Sequence, residues 1–281
     1  MSTALKPSNI DRKTVQGFGD EWTRFDQRRL DEGERAQLFD RYFNIFPWHL
    51  LPDEASGFDL GCGSGRWAAL VAPRVHRLHC IDASESALTV ARQNLAEHSN
   101  CEFHVASVDQ MPPAVNSMDF GYSLGVLHHV PNTEAGLKSC VGRLKPGAPF
   151  LLYLYYAFDN RPWWFRLLWR ASDVARQAVS RAPMGVRYVL SQVIAATIYY
   201  PLARLAWLLE RVGVKVDALP LSAYRDQSFY VMRTDALDRF GTKLEQRFTA
   251  DQIRQMMERA GLERITFSNS VPFWCAVGFK K

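Results

Sequence analysis

The amino-acid sequence predicts an α/β fold: a seven-stranded, mostly parallel sheet that ends in an antiparallel hairpin and is interrupted by a helical insertion. Three observations predict it. Apolar, strand-like runs alternate with helical patterns from residue 55 to residue 156, the pattern of βαβ units whose sheet is covered on both faces. Phe58-Asp59-Leu60 feeds Gly61-Cys62-Gly63-Ser64-Gly65, a strand running into a glycine turn and then a helical pattern from Arg66-Trp67. Near the C-terminus, Leu262–Ser268 and Val271–Phe279 are joined only by Asn269-Ser270. That is too short for a parallel crossover, so the last two strands are expected to run antiparallel.

Taken in order, residues 55–60 read as a buried strand and 65–73 as a helix stopped near Pro73. Residues 77–81 form a second strand ending at Asp82. From Ser84 to His98, Ala87, Leu88, Ala91 and Leu95 share one helical face, with Ser84 as N-cap. Residues 102–106 and 118–124 are the third and fourth strands. A helix over 134–144 stops at Lys145-Pro146-Gly147, and 150–156 is an apolar fifth strand. Thr249–Ala260 is a helix closed by Gly261. Between the fifth strand and that helix lie roughly ninety residues, well beyond an ordinary connection. The expected organisation is an N-terminal cap over 1–52, a core made of 53–159 with 248–281, and a helical lid or substrate insertion over 160–247.

With 281 residues, the chain can bury one large core. Apolar residues at 47% and charged residues at 22% exclude a disordered chain. The five cysteines are scattered, odd in number and without a C-x-x-C pair, which points to reduced thiols in a cytosolic protein and against a disulfide framework or a metal site. Residues 1–20 hold no apolar run of signal-peptide length. The net charge of +5 is unevenly placed: residues 160–215 hold eight Arg and one Lys against one Asp and one Glu, giving +7 and leaving about −2 for the remainder. The electrostatic question therefore belongs to that segment rather than to a general affinity for nucleic acid.

Asp59 before the first glycine, with Asp82 some twenty residues on, makes D-x-G-x-G-x-G. This resembles motif I of the class I S-adenosylmethionine (SAM)-dependent methyltransferases; the G-x-G-x-x-G of dinucleotide enzymes is spaced differently. A Rossmann-like parallel sheet finished by one antiparallel strand is the sheet of that family. Asp119-Phe-Gly-Tyr-Ser-Leu-Gly-Val-Leu-His128-His129-Val-Pro131 and Leu144-Lys-Pro-Gly147 resemble its small-molecule, type 11-like branch. Methyltransferases of nucleic-acid amino groups carry Asp/Asn-Pro-Pro-aromatic where this chain has Ser123-Leu124-Gly125, so no nucleic-acid partner is expected. The resemblance covers residues 55–156 and 248–279.

It implies SAM as cofactor and S-adenosylhomocysteine as product, held by Gly61, Cys62, Gly63, Asp82, Ala83, Ser107, Val108, Asp109 and Leu124. Gly61 and Gly63 would pass close to the methionine part. The Asp82 carboxylate offers two oxygens to the ribose hydroxyls; a strand-end acid or helix cap is its other reading. Related enzymes often place an Asp on the adenine amino group where this chain has Ser107. Either Ser107 takes that contact or Asp109 reaches back.

If the acceptor is a hydroxyl, a base must take its proton. His128 and His129 follow the fourth strand and Asp159 the fifth, and neighbouring strands can bring a His–Asp base onto one pocket. A His pair that caps a helix or packs under the cofactor is the other reading, and a thiol or carboxylate acceptor needs no base. Tyr156, Tyr224, Arg225, Tyr230 and Arg233 are candidate acceptor contacts; the two Arg suit an anionic small molecule, or are a solvated face. Phe18–Trp22 either closes over the cofactor or staples the first helix. The segment 160–215, with Trp163, Trp164, Trp169 and Trp207 among its Arg, suits the buried face of a lid, peripheral contact with an anionic membrane, or a dimer interface. Val193–Ala203 has only eleven uncharged residues, includes Pro201 and meets Arg204, too short to span a bilayer. The leading expectation is a cytoplasmic enzyme that O-methylates a small molecule. The alternatives are a membrane-surface enzyme acting on a lipid or lipid-linked sugar, and a non-catalytic SAM-binding partner protein.

Overall fold

The computed structural model describes residues 8–281. Seven strands, β1 (Ser56–Leu60), β2 (Arg77–Asp82), β3 (Cys101–Val105), β4 (Phe120–Leu124), β5 (Pro149–Tyr153), β6 (Leu262–Phe267) and β7 (Cys275–Lys280), form one sheet in the order β3-β2-β1-β4-β5-β7-β6. The first five are parallel, and β7 runs antiparallel between β5 and β6. The reversal expected from the sequence is present, although the β6–β7 connection occupies residues 268–274 rather than two residues. Strand order reverses between β1 and β4, and the crevice at their carboxyl ends is where open α/β sheets bind ligands.

Ten α-helices complete the described chain: α1 (Arg12–Arg24), α2 (Glu32–Phe43), α3 (Ala68–Val71), α4 (Glu85–Asn94), α5 (Thr133–Arg143), α6 (Trp163–Val179), α7 (Met184–Ile194), α8 (Tyr200–Arg211), α9 (Phe229–Gly241) and α10 (Ala250–Arg259). Several start where the sequence supplies a cap. Ser84 accepts from Ala87 N, Asn132 from Ala135 N, and Thr249 with Gln252 forms a reciprocal capping box. Pro73 cuts α3 to one turn, followed by a 3-10 turn at Ala72–Arg74.

One sheet face is covered by α2, α3 and α4, where Phe39, Phe43 and Phe46 pack with Phe120 and Tyr122. On the other face, Leu137 and Val141 of α5 and Ile253 and Met257 of α10 cover Phe58 and Phe150. The N-terminal region thus divides: α2 belongs to the core, whereas α1 lies between α4 and α9.

In the insertion, α7 and α8 join through a π turn at Ala195–Tyr199 into one continuous helix of 28 residues, Met184–Arg211. The wide turn lies just before Pro201, which has no N–H for the i−4 carbonyl and whose ring crowds it. Ala195, Tyr199 and Ala203 pack against Met232, Ala236 and Phe240 of α9. The sequence expectation of an apolar run too short to span is corrected in one respect: by length and composition this helix is long and apolar enough to cross a membrane. Arg204 does not interrupt its outer side, because the guanidinium turns inward and donates to the carbonyls of Arg225 and Gln227.

Candidate active site

The crevice above β1, β2 and β4 is a cleft with an enclosed volume of about 120 Å³. Gly61, Asp82, Ala83, Ser107, Val108 and Leu124 line it. Gly61 has φ +76, and a Cβ there would lie 2.3 Å from Val126; Gly63 has φ +54, and its Cβ would lie 2.8 Å from Trp22 Nε1. Both positions therefore require glycine. Asp82 Oδ2 accepts from Gly63 N at 2.9 Å and Oδ1 from Ser84 N at 2.8 Å. The carboxylate thus braces the glycine loop, and each oxygen keeps a second lone pair for a ligand hydroxyl. Burial pushes its carboxyl up, while the amides of Ser84, Gly63 and Ala83 hold it back. Cys62 is buried behind the loop and does not line the cleft.

Ser107 faces the cleft, whereas Asp109 is exposed and outside it. Ser107 Oγ donates to Asp109 Oδ1 at 2.7 Å. The other Asp109 oxygen accepts from Asn9 N at 3.3 Å, and Asn9 and Asn132 exchange two further hydrogen bonds. Asn9, Ile10 and Asp11 then line the cleft, with Thr14, Val15, Phe18 and Trp22 of α1 above them. The N-terminal segment is a wall of the site, a role the sequence showed only at Phe18–Trp22.

At the inner end of the cleft stands His129. Its Nδ1 lies 2.6 Å from Leu244 O, and a carbonyl can only accept, so Nδ1 carries the proton and Nε2 a lone pair. Nε2 is buried without a hydrogen-bond partner and lies 4.0 Å from Asp238 Oδ1. Burial lowers the imidazole to about 4, so it is neutral at physiological pH. Asp238 also accepts from the Tyr155 hydroxyl, and burial raises its carboxyl to about 6. One turn away on α9, Asp235 accepts from Tyr224 Oη at 2.8 Å and is likewise raised by burial to about 6. Glu21 of α1 is buried beside both, and burial followed by the charges of Asp238 and Asp235 raises its carboxyl strongly. Glu21, Asp235 and Asp238 form a buried cluster of carboxyls outside the cleft lining, on which the charges of Arg66 and Arg247 also act.

His128 does not line the cleft. It is fully buried, stacked on Tyr155 at 3.8 Å, with Nδ1 accepting from Tyr155 N. Asp159 is not brought to either imidazole. Its Oδ2 caps α10 through Ala250 N and its Oδ1 accepts from Trp274 Nε1, both at 2.9 Å. The carboxylate beside His129 comes from the insertion instead.

The acceptor candidates are also dispersed. Tyr224 donates to Asp235 in the buried carboxyl cluster. Tyr156 Oη accepts from Arg161, and Tyr230 Oη from Gln27 N. Arg225 pairs with Glu210 at 2.7 Å, and Arg233 donates to Gln192 and Tyr188. Both guanidiniums serve the insertion's own packing. Among the described residues, His79, Glu102 and His104 have ligand atoms within 4.8 Å of one another, outside the cleft lining and with Arg77 already on Glu102 at 3.2 Å.

Comparison with known proteins agrees with this geometry. Residues 58–147 match the family model described as a methyltransferase domain. The chain is 22% identical over 165 residues to a ubiquinone biosynthesis O-methyltransferase of Coxiella burnetii, covering 56% of this chain and 66% of that protein. It is 34% identical over 94 residues to the same-named protein of Idiomarina loihiensis, covering 32% and 37%. The chain thus spans just under two thirds of the first relative and about a third of the second. A methyltransferase complex with the Trm112 activator from Haloferax volcanii matches with a TM-score of 0.50 at 14% identity, over 93% of this chain and 96% of that one. This last likeness is one of fold.

Proposed function

We propose that the chain, whose residues 58–147 match a family model described as a methyltransferase domain, methylates a hydroxyl-bearing small molecule with SAM. When bound, SAM supplies an already activated methyl group. The two glycine positions and the Asp82 carboxylate fit such a group: backbone free of Cβ at Gly61 and Gly63, and spare lone pairs for a diol. Ser107 faces the far wall, where a base edge would lie.

The single observation that carries the reading is His129, which lines the cleft and whose Nε2 is buried, without a hydrogen-bond partner and 4.0 Å from the Asp238 carboxylate. In the proposed reaction this nitrogen takes the acceptor's hydroxyl proton, and Asp238 stabilises the resulting imidazolium. The O-methyltransferase relatives are named for the same acceptor atom.

Calorimetric titration with S-adenosylhomocysteine, beside NADH, tests the reading. We expect micromolar binding of the first only, weakened about tenfold or more by Asp82→Ala, which removes hydrogen bonds to a charged acceptor. His129→Ala should bind as tightly as wild type yet lose transfer from labelled SAM to hydroxylated acceptors. Binding of NADH, or transfer undiminished by His129→Ala, would refute it.

A further inference from the structure

The insertion carries an apolar face that, among the described residues, no other element covers. On α6, Trp163, Trp164, Leu167 and Leu168 are exposed, Trp163 to 71%. Along Met184–Arg211, Val186, Val189, Val193, Tyr200 and Leu208 are exposed at helical spacing on one side. Only 28% of the most apolar stretch of that helix is buried, unlike a core helix. Between Met184 and Leu208 its only charged side chains are Arg187 and Arg204, and both donate to backbone carbonyls of the protein, Arg187 to that of Gly241. The outer side is therefore free of charge from Met184 to Leu208.

The edges of this face are basic. Residues 160–215 carry +7. Arg166, Arg170, Arg211 and Lys215 are exposed, and none makes an ion pair among the described residues. Arg211 lies over Trp207 at 3.5 Å, a cation on an aromatic ring at the helix end. An apolar stripe with Trp and a cationic border is complementary to an anionic bilayer. A second copy of the same face would bring two such charges together, so self-association is disfavoured. Spanning would strip Ala195, Tyr199 and Ala203 from α9, so the helix is suited to lie in the interface.

We propose that α6 and Met184–Arg211 seat the protein on an anionic lipid surface. Single helix α9 separates that surface from the site: Met232, Ala236 and Phe240 face the docking helix, while Asp238 lies 4.0 Å from His129 and both Asp235 and Asp238 act on Glu21. On the methyltransferase reading, this brings acceptors with a lipid tail within reach.

Flotation of the full chain with phosphatidylcholine vesicles, with and without phosphatidylglycerol, tests the docking. We expect binding to the anionic vesicles and at least about tenfold less to neutral ones, or in high salt. Val189→Glu with Val193→Glu should reduce it by about tenfold or more, the cost of exposing two anchors. Arg166→Glu with Arg170→Glu should remove mainly the anionic preference. Titration with S-adenosylhomocysteine on each preparation shows that the core has folded. Absence of flotation by folded protein would overturn the docking, as would a dimer dissolved by Val189→Glu. Vesicle binding without S-adenosylhomocysteine binding would sustain the docking and remove the enzymatic reading.

Discussion

Asp59 is 2% exposed at the end of β1, and its Oδ2 has no hydrogen-bond partner. Burial raises its carboxyl from the ordinary 3.8 to about 8, with the Tyr122 hydroxyl working against the shift. The folded state therefore holds this proton more tightly than the unfolded chain. Its contribution to stability is complete below about pH 4 and is lost as pH rises toward 8, by about 1.4 kcal/mol per pH unit for one group. Asp59→Asn keeps the neutral shape and removes the titration. Urea unfolding of both proteins from pH 5 to pH 8 should show the variant gaining steadily on wild type, since groups common to both cancel. A constant difference across that range would place an ionised carboxylate in the fold.

At the scale of the element, the glycine loop and α1 form one device. Gly63 N donates to Asp82 from one side while the Trp22 indole covers the Cα from the other. Gly63→Ala would place a methyl at 2.8 Å from Trp22 Nε1 on a backbone of positive φ, costing about 1–3 kcal/mol. We expect a red-shifted Trp fluorescence and weaker S-adenosylhomocysteine binding, with β-sheet circular dichroism unchanged; undisturbed Trp22 emission with full affinity would separate the loop from α1. This loop was legible in the sequence because its demand is local: positive φ and close approach leave only glycine. Ser84 and Thr249 were legible as caps for the same reason. The histidine's partner was not. Asp159 follows β5 by a few residues and so looked near, yet the chain turns it to α10. Asp238 reaches His129 only because α9 packs across the site, and no spacing in the sequence encodes that approach. Asp235 stood in a segment already singled out for its Arg and Tyr residues, but its two Arg turned to the insertion's own contacts and Tyr230 to Gln27. Likewise Arg204 ended the apolar run by counting, whereas a guanidinium on a long stem can fold back to the protein side.

For the molecule as a whole, the question is whether the insertion is an appendage or part of the core. The chain returning from it answers this. Gln246 N donates to His128 O, Phe248 N donates to Tyr155 O, and Leu244 O receives the His129 proton. In the same segment, Glu245 is 2% exposed at its side chain and pairs with Arg239 at 3.2 Å and Arg247 at 2.8 Å. Arg247 in turn lies about equally over Tyr155, Phe158 and Trp169, at 5.0, 5.0 and 5.1 Å, tying the segment after β5 to α6. Glu245→Gln would leave two largely buried guanidiniums without their shared carboxylate, a loss of about 3–5 kcal/mol. Because that seam also fixes the His129 tautomer, insertion and sheet should unfold together. Calorimetry of the variant is expected to show one transition at lower temperature, and transfer activity should fall with it. A new early transition that leaves S-adenosylhomocysteine binding intact would show instead that the sheet holds its cofactor cleft without the insertion, and that the helices behind His129 are a separate folding unit.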